Sequence, residues 1–220
     1  MKLHDVEQAR YNMIEQQIRP WDVADAAVLQ LLALVKREDF VPAAYKAMAF
    51  ADLEIPLPGG QTMLSPRLQA RLLQDAALQP GDKVLEIGTG SGFMTALMAH
   101  QAQRVVSLEV NPELADMARA NLQKTGVRNA EVRQTNGAGG APADAPFDVI
   151  LLGGSVAEVP AALLAQLKVG GRLVAVVGEE PIMHAHVITR TSETNFKSDE
   201  KWDDNAPRLC HFPQPSAFKF

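Results

Sequence analysis

The sequence predicts an α/β protein built on a doubly wound, mostly parallel sheet, and three observations predict it. The stretch Lys83-Val-Leu-Glu-Ile-Gly-Thr-Gly-Ser-Gly-Phe93 reads as strand, glycine turn and helix start, the opening of a nucleotide-binding βαβ unit. Beyond it, short apolar runs alternate with helix-period segments. Those runs are near-continuously apolar, as in parallel strands covered on both faces.

Composition sets the outer bounds. The 220 residues suffice for one α/β domain with a sizeable core, and 47% hydrophobic against 21% charged residues fits a globular chain. A formal net charge of −5 argues against broad phosphate-backbone binding, so no nucleic-acid partner is expected. Cys210 is the single cysteine and demands no oxidising compartment. With one Cys and five scattered His, no metal-ligand spacing is visible and no metal is expected. The N-terminal residues lack the apolar core of a signal peptide, and no run approaches membrane-spanning length. The expectation is a cytoplasmic protein with no membrane partner, monomeric or homodimeric.

In order, residues 1 to about 35 are helical in character. Val6, Ala9, Met13, Ile14 and Ile18 fall near one face, Arg19-Pro20 ends the helix, and Asp22 or Asp25 caps a second through Val35. Lys36 to Gly60 is turn-rich and without periodicity. Thr62 to Leu78 returns to helical spacing, and Pro80-Gly81-Asp82 turns into the first strand. Then follow strand 83–88, helix 91–101, strand 104–110, helix 112–124 with Pro112 in its first turn, and strand 130–135. After the loop 136–146 come strand 147–152, helix 158–167 and strand 172–178. His184 to Thr191 and Arg208 to Phe212 read as two further strands, joined by a polar segment, 192–205. The division expected is a helical and loop cap, 1–80, forming part of a substrate site, on a core, 81–220, in one domain.

The glycines fall as G-x-G-x-G at Gly88, Gly90 and Gly92, which mismatches the last position of the dinucleotide fingerprint. That spacing, with the acidic Glu86 inside the strand, suits a loop wrapping S-adenosylmethionine through Gly88, Thr89, Gly90, Ser91 and Gly92. Glu109 is placed to accept from two ribose hydroxyls, with Val110 beside it, or else to cap the helix after it. Glu86 either shapes the loop and the ligand's ammonium end or belongs to an ion pair within the fold.

Met13-Ile-Glu-Gln-Gln-Ile-Arg-Pro20, Arg37-Glu-Asp-Phe-Val-Pro42, Pro56-Leu-Pro-Gly-Gly-Gln-Thr62, Val84 to Gly92, Ala145-Pro-Phe-Asp148 and Leu163 to Leu173 together resemble protein-L-isoaspartate (D-aspartate) O-methyltransferases. The likeness is weakest after about residue 180. It implies a class I methyltransferase fold with a seven-stranded sheet and an N-terminal helical addition. It also implies S-adenosylmethionine as cofactor and methyl transfer to the side-chain carboxylate of isoaspartyl residues in damaged proteins.

Three departures stand out. The family reads Gln-Thr-Ile-Ser-x-Pro, its serine taken as the catalytic contact; this chain reads Gln61-Thr62-Met63-Leu64-Ser65-Pro66, with Leu64 at the serine position. Thr62 and Ser65 are the substitute hydroxyls, although Ser65 also suits a helix N-cap. Gln61 remains a substrate-binding candidate. Arg67 and Arg71, spaced i, i+4, either receive an anionic substrate or are solvated. Asn136-Gly137 replaces the family's Asp-Gly, and an asparagine oxygen still accepts from an adenine amino group. Alternatives to isoaspartyl methylation are therefore a relative acting on an anionic small molecule and a non-catalytic cofactor-binding protein, with an NAD-dependent dehydrogenase last.

Overall fold

The computed structural model describes residues 3–214. Residues 1 and 2, expected at the head of the first helix, and 215–220, the end of the C-terminal segment, lie outside the described residues. The strands are β1 (Ile55–Pro56), β2 (Thr62–Met63), β3 (Lys83–Ile87), β4 (Arg104–Glu109), β5 (Ala130–Gln134), β6 (Phe147–Val156), β7 (Leu167–Glu179), β8 (Ile182–Arg190) and β9 (Phe196–Asp203). The helices are α1 (Leu3–Asn12), α2 (Ala26–Leu34), α3 (Pro66–Ala76), α4 (Phe93–Gln101), α5 (Pro112–Lys124) and α6 (Ala161–Leu164). Among the described residues no helix is long and apolar enough to cross a membrane.

Seven strands form one sheet in the order β5-β4-β3-β6-β7-β8-β9. The pairs from β5 through β7 are parallel, and β8 and β9 each add antiparallel. The order reverses between β3 and β6, so the crevice beyond their carboxyl ends is where a ligand is expected in such a sheet. Val84, Leu85, Val105, Val106, Ile150 and Leu151 are fully buried. That two-sided burial is why these strands read as apolar runs rather than as alternations.

The cap follows its local signals. Asp25 caps α2, its carboxylate accepting from the Ala27 and Val28 amides at 2.7 and 3.4 Å. The first helix continues beyond Asn12 as a wider, π-helical turn through Ile18, then tightens over Arg19–Trp21. Segment 62–78 divides: Thr62–Met63 pairs with β1, and only from Pro66 does the chain become helix. α3 then buries Leu68, Leu72, Leu73 and Ala76, each leucine contributing about 1.5–3 kcal/mol of apolar burial.

The second half corrects several boundaries. The helix expected at 158–167 shortens to α6, and β7 begins at Leu167. The polar segment 192–205 is not a connector, because Phe196–Asp203 is the edge strand β9. It is mostly exposed, so no apolar pattern announced it. It is fixed instead by Trp202, whose indole N–H donates to Asp75 at 2.7 Å and whose ring lies under Arg71 at 4.1 Å. Arg208 to Phe212 is no sheet strand either. It makes one bridge, Arg208 to Ser155, and runs as a strap past the end of β6. Ser155, fully buried, holds it: its N–H donates to Pro207 O at 2.8 Å, its hydroxyl to Ala206 O at 2.7 Å, and its carbonyl accepts from Leu209 N at 2.9 Å.

Candidate functional site

Glycine chemistry sets the site's position. Gly88 follows β3 with φ 91°, a backbone state that L side chains rarely adopt. Across from it, a Cβ on Gly153 of β6 would lie 2.4 Å from Gly88 O. A double glycine, Gly153-Gly154, inside an apolar strand signals such a close approach, and here Gly153 lets β6 pack against the start of the glycine loop at the cleft.

That cleft is lined by Gln61, Thr62, Gly88, Gly90, Glu109, Val110 and Gly137, with Ile87, Leu108, Leu114 and Gly153. The strap closes one side with Leu209, Cys210 and Phe212. A small neighbouring recess shares Thr62, Gly88, Gly90 and Gly153 and adds Met63, Leu64, Gln69, Thr89, Ser91, Phe93 and Met94. The two meet along Thr62 and the glycine loop.

Glu109 ends β4 on the cleft wall. One carboxylate oxygen accepts from Gly90 N at 2.9 Å and the other from Asn111 N at 3.0 Å. It therefore ties the glycine loop to the start of α5, while the cap proper is Asn111, which accepts from Glu113 N at 2.9 Å. Glu86 lies beneath the loop and lines neither cavity. It belongs to no ion pair: Thr95 and Ser107 donate their hydroxyls to one of its oxygens, and its other oxygen, Oε1, has no partner. Burial pushes its carboxyl up to about 7, against the two hydroxyl hydrogen bonds that favour the ionised form.

The other candidates separate. Gln61, Gly88, Gly90, Val110 and Gly137 line the cleft, while Thr89 and Ser91 line the recess instead. Gly92 lines neither; it turns the chain into α4 with φ 86°. Asn136 is exposed, lines neither cavity, and its side-chain oxygen accepts from Ala138 N at 3.0 Å. In this structure it caps a turn rather than facing the cleft. Thr62 Oγ1 and Ser91 Oγ are buried without a hydrogen-bond partner.

Ser65 is engaged at a helix end in this structure. Its hydroxyl caps α3, accepting from Leu68 N at 3.3 Å, and it lines neither cavity. Ser65→Ala is expected to destabilise the protein by about 1 kcal/mol while leaving kcat within a factor of two; a tenfold loss of kcat in a variant that keeps its fold would contradict the capping role. Leu64, at the family serine position, is buried and faces the recess.

Arg67 and Arg71 line neither cavity, and both are engaged by other side chains. Arg67 pairs with Asp52 at 3.0 Å and Asp204 at 3.2 Å and stacks over Trp21. Arg71 lies over Trp202, and burial lowers its pKa. Both fasten the cap to the β8–β9 edge, because α3 turns that face toward the edge strand and not toward the cleft. Arg37, by contrast, was not visible as a site residue. It is fully buried and donates to Ala49 O at 3.0 Å, Leu64 O at 2.8 Å and the Gln69 side chain. Two of those three acceptors belong to recess residues.

With this geometry in place, the protein-L-isoaspartate(D-aspartate) O-methyltransferase family model matches residues 8–203. A protein-L-isoaspartate O-methyltransferase of Koribacter versatilis is 41% identical over 181 residues, 82% of each chain. One from Gloeobacter violaceus is 39% identical over 180 residues, 81% of this chain and 88% of that one. A Plasmodium falciparum protein assigned to the same activity, solved with S-adenosyl-L-homocysteine, superposes with a TM-score of 0.77 over 91% of this chain and 95% of its own. At 20% identity that likeness speaks for the fold alone.

Proposed function

The chain belongs to the protein-L-isoaspartate(D-aspartate) O-methyltransferase family, and from that premise we propose that it methylates the side-chain carboxylate of isoaspartyl residues using S-adenosylmethionine. The observation that carries this reading is the meeting of two cavities along Thr62 and the glycine loop. One has the composition of a cofactor cleft, the other that of an acceptor recess.

The residues fit the cofactor. Glu109 supplies a carboxylate on the cleft wall for sugar hydroxyls, and Leu108, Val110 and Leu114 offer apolar surface for a base. Thr62 contributes a buried hydroxyl with no other partner. When bound, S-adenosylmethionine supplies a sulfonium methyl: an acceptor-oxygen lone pair forms the new O–C bond, the C–S pair goes to sulfur, and no proton moves.

The chain's own task is correspondingly small. An isoaspartyl carboxylate with a pKa of about 4 is already ionised at neutral pH, so no general base is needed. Thr62 donates a hydrogen bond to the acceptor and holds it in line. Leu64, Met63, Phe93 and Met94 keep water from the recess. Residues 1–80 act as the cap that carries the acceptor side and 81–220 as the cofactor core, in one domain.

The test is methyl transfer to an isoaspartyl peptide beside its aspartyl twin. Transfer to the first alone supports the reading; tight cofactor binding without transfer to either sinks it. Leu64 favours a second reading, a relative with another acceptor, but the arginines that suggested an anionic metabolite are engaged elsewhere. Leu64→Ser adds a hydroxyl to the recess and is expected to raise kcat/KM for isoaspartyl peptide about tenfold, on the order of one added hydrogen bond to a charged group. An unchanged rate would place the acceptor away from Leu64.

A further inference from the structure

Five histidines look scattered in the sequence, yet pairing of β8 with β9 gathers one of them, His184, with two carboxylates. His184 and His186 stand at alternate positions of β8, and alternate residues share one face. The intervening Ala185 and the flanking Met183 and Val187 are buried on the other face. Across the antiparallel pair, His184 is in register with Asp203 and His186 with Glu200, with a register shift between Ala185 and His186.

The distances follow from that placement. His184 Nδ1 lies 2.8 Å from an Asp203 carboxylate oxygen and 3.5 Å from one of Glu200. One ligand atom each from His184, Glu200 and Asp203 fall within 4.8 Å of one another. The His184 and His186 ring centroids are 6.4 Å apart. His186 stands outside that group, with Nδ1 3.1 Å from the Ser198 hydroxyl. In a tetrahedral zinc site with ligands about 2.0–2.2 Å from the metal, neighbouring ligand atoms are about 3.3 Å apart. The observed 2.8 and 3.5 Å bracket that separation.

We infer that His184, Glu200 and Asp203 form a three-ligand surface site for a borderline divalent cation, with Zn²⁺ as its occupant and the fourth tetrahedral position open to solvent. Imidazole nitrogen combined with carboxylate oxygen selects Zn²⁺, Ni²⁺ or Cu²⁺ over Mg²⁺ or Ca²⁺, which take oxygen ligands. The site stands apart from the cleft and does not rest on the methyltransferase reading. Its consequence is mechanical. A cation joining β8 to β9 fastens the hairpin that carries Trp202 and the adjacent Asp204, the anchors of Arg71 and Arg67 in α3.

The test uses the untagged full-length protein, stripped with EDTA and desalted. It is titrated by calorimetry with ZnCl₂ and, separately, MgCl₂, slightly above neutral pH where imidazole is neutral. One equivalent of Zn²⁺ is expected to bind, with no heat from Mg²⁺. Saturation should raise Tm by about 5 °C. His184→Ala should weaken binding at least tenfold while matching the wild-type Tm in EDTA, and His186→Ala, outside the ligand set, should bind as wild type. Cys210→Ser should bind as wild type, which separates this site from the Cys210-His211 pair. No Zn²⁺ heat, or wild-type affinity in His184→Ala, overturns the inference and leaves a surface ion pair only.

Discussion

Arg37→Leu is expected to lower stability by about 3–5 kcal/mol, because it leaves three buried acceptors without their donor at about 1–3 kcal/mol each. For a chain of this size that corresponds to a fall in Tm of roughly 10 °C. Arg37 gathers Ala49 O, Leu64 O and the Gln69 side chain, joining the loop after α2 to the start of α3. Its guanidinium also sits 5.3 Å from the centre of the Phe93 ring, at the head of the helix that follows the glycine loop. Burial pulls its pKa down to about 9, with Asp52 opposing the shift, so it remains charged at neutral pH. Because Leu64 and Gln69 border the recess rather than the cleft, kcat/KM for the isoaspartyl peptide should fall at least tenfold. Cofactor affinity should change less. Thermal denaturation alongside calorimetry with S-adenosylmethionine checks both, and a Tm within two degrees of wild type would rule out the anchoring role.

Glu86→Gln is expected to change the pH dependence of stability more than any other single substitution near the site. The carboxyl is fully buried, and its pKa is about 7 in place of the ordinary 4.5. Between those values the unfolded chain has released its proton and the folded chain keeps it. The contribution of Glu86 to stability is therefore greatest below about 4.5, falls as pH rises through the interval, and is fully lost above about 7. That gap corresponds to about 3 kcal/mol. Glutamine keeps an oxygen that accepts from Thr95 and Ser107 but carries no charge. Relative to wild type, the variant should gain roughly that amount between mildly acidic and mildly alkaline conditions, as read from urea midpoints. A difference independent of pH would contradict the buried, protonated carboxyl. Since Glu86 lies beneath the loop and lines neither cavity, the same variant should bind cofactor within a few fold of wild type.

The two residues mark different degrees of legibility. Glu86 stands out in sequence because a carboxylate inside an apolar strand is unusual, although the pairing with hydroxyls rather than a cation depends on Ser107 lying beside it in β4. Arg37 looks like any charged residue in a turn-rich stretch. Only the packing of Ala49, Leu64 and Gln69 around it turns a surface-type residue into a fully buried anchor.

By itself the sequence determined what local chemistry decides. The strand, glycine turn and helix at 83–101, a cap at Asp22 or Asp25 and the buried runs of β3, β4 and β6 depend on periodicity, φ preference and hydrogen bonds a few residues long. So does the position of Glu109 at a strand end facing the crevice. Tertiary structure alone decided which polar side chains were still free once the chain had folded. Arg67 and Arg71 were taken by the edge hairpin, while among the described residues Thr62 kept a buried hydroxyl without a partner. It also made a strand of the polar residues 196–203, brought the strap at 209–212 to the cleft, and set His184 beside Glu200 and Asp203. The physical reason is the same throughout: a polar side chain's partner is chosen by long-range packing, and neighbours in sequence carry little record of it.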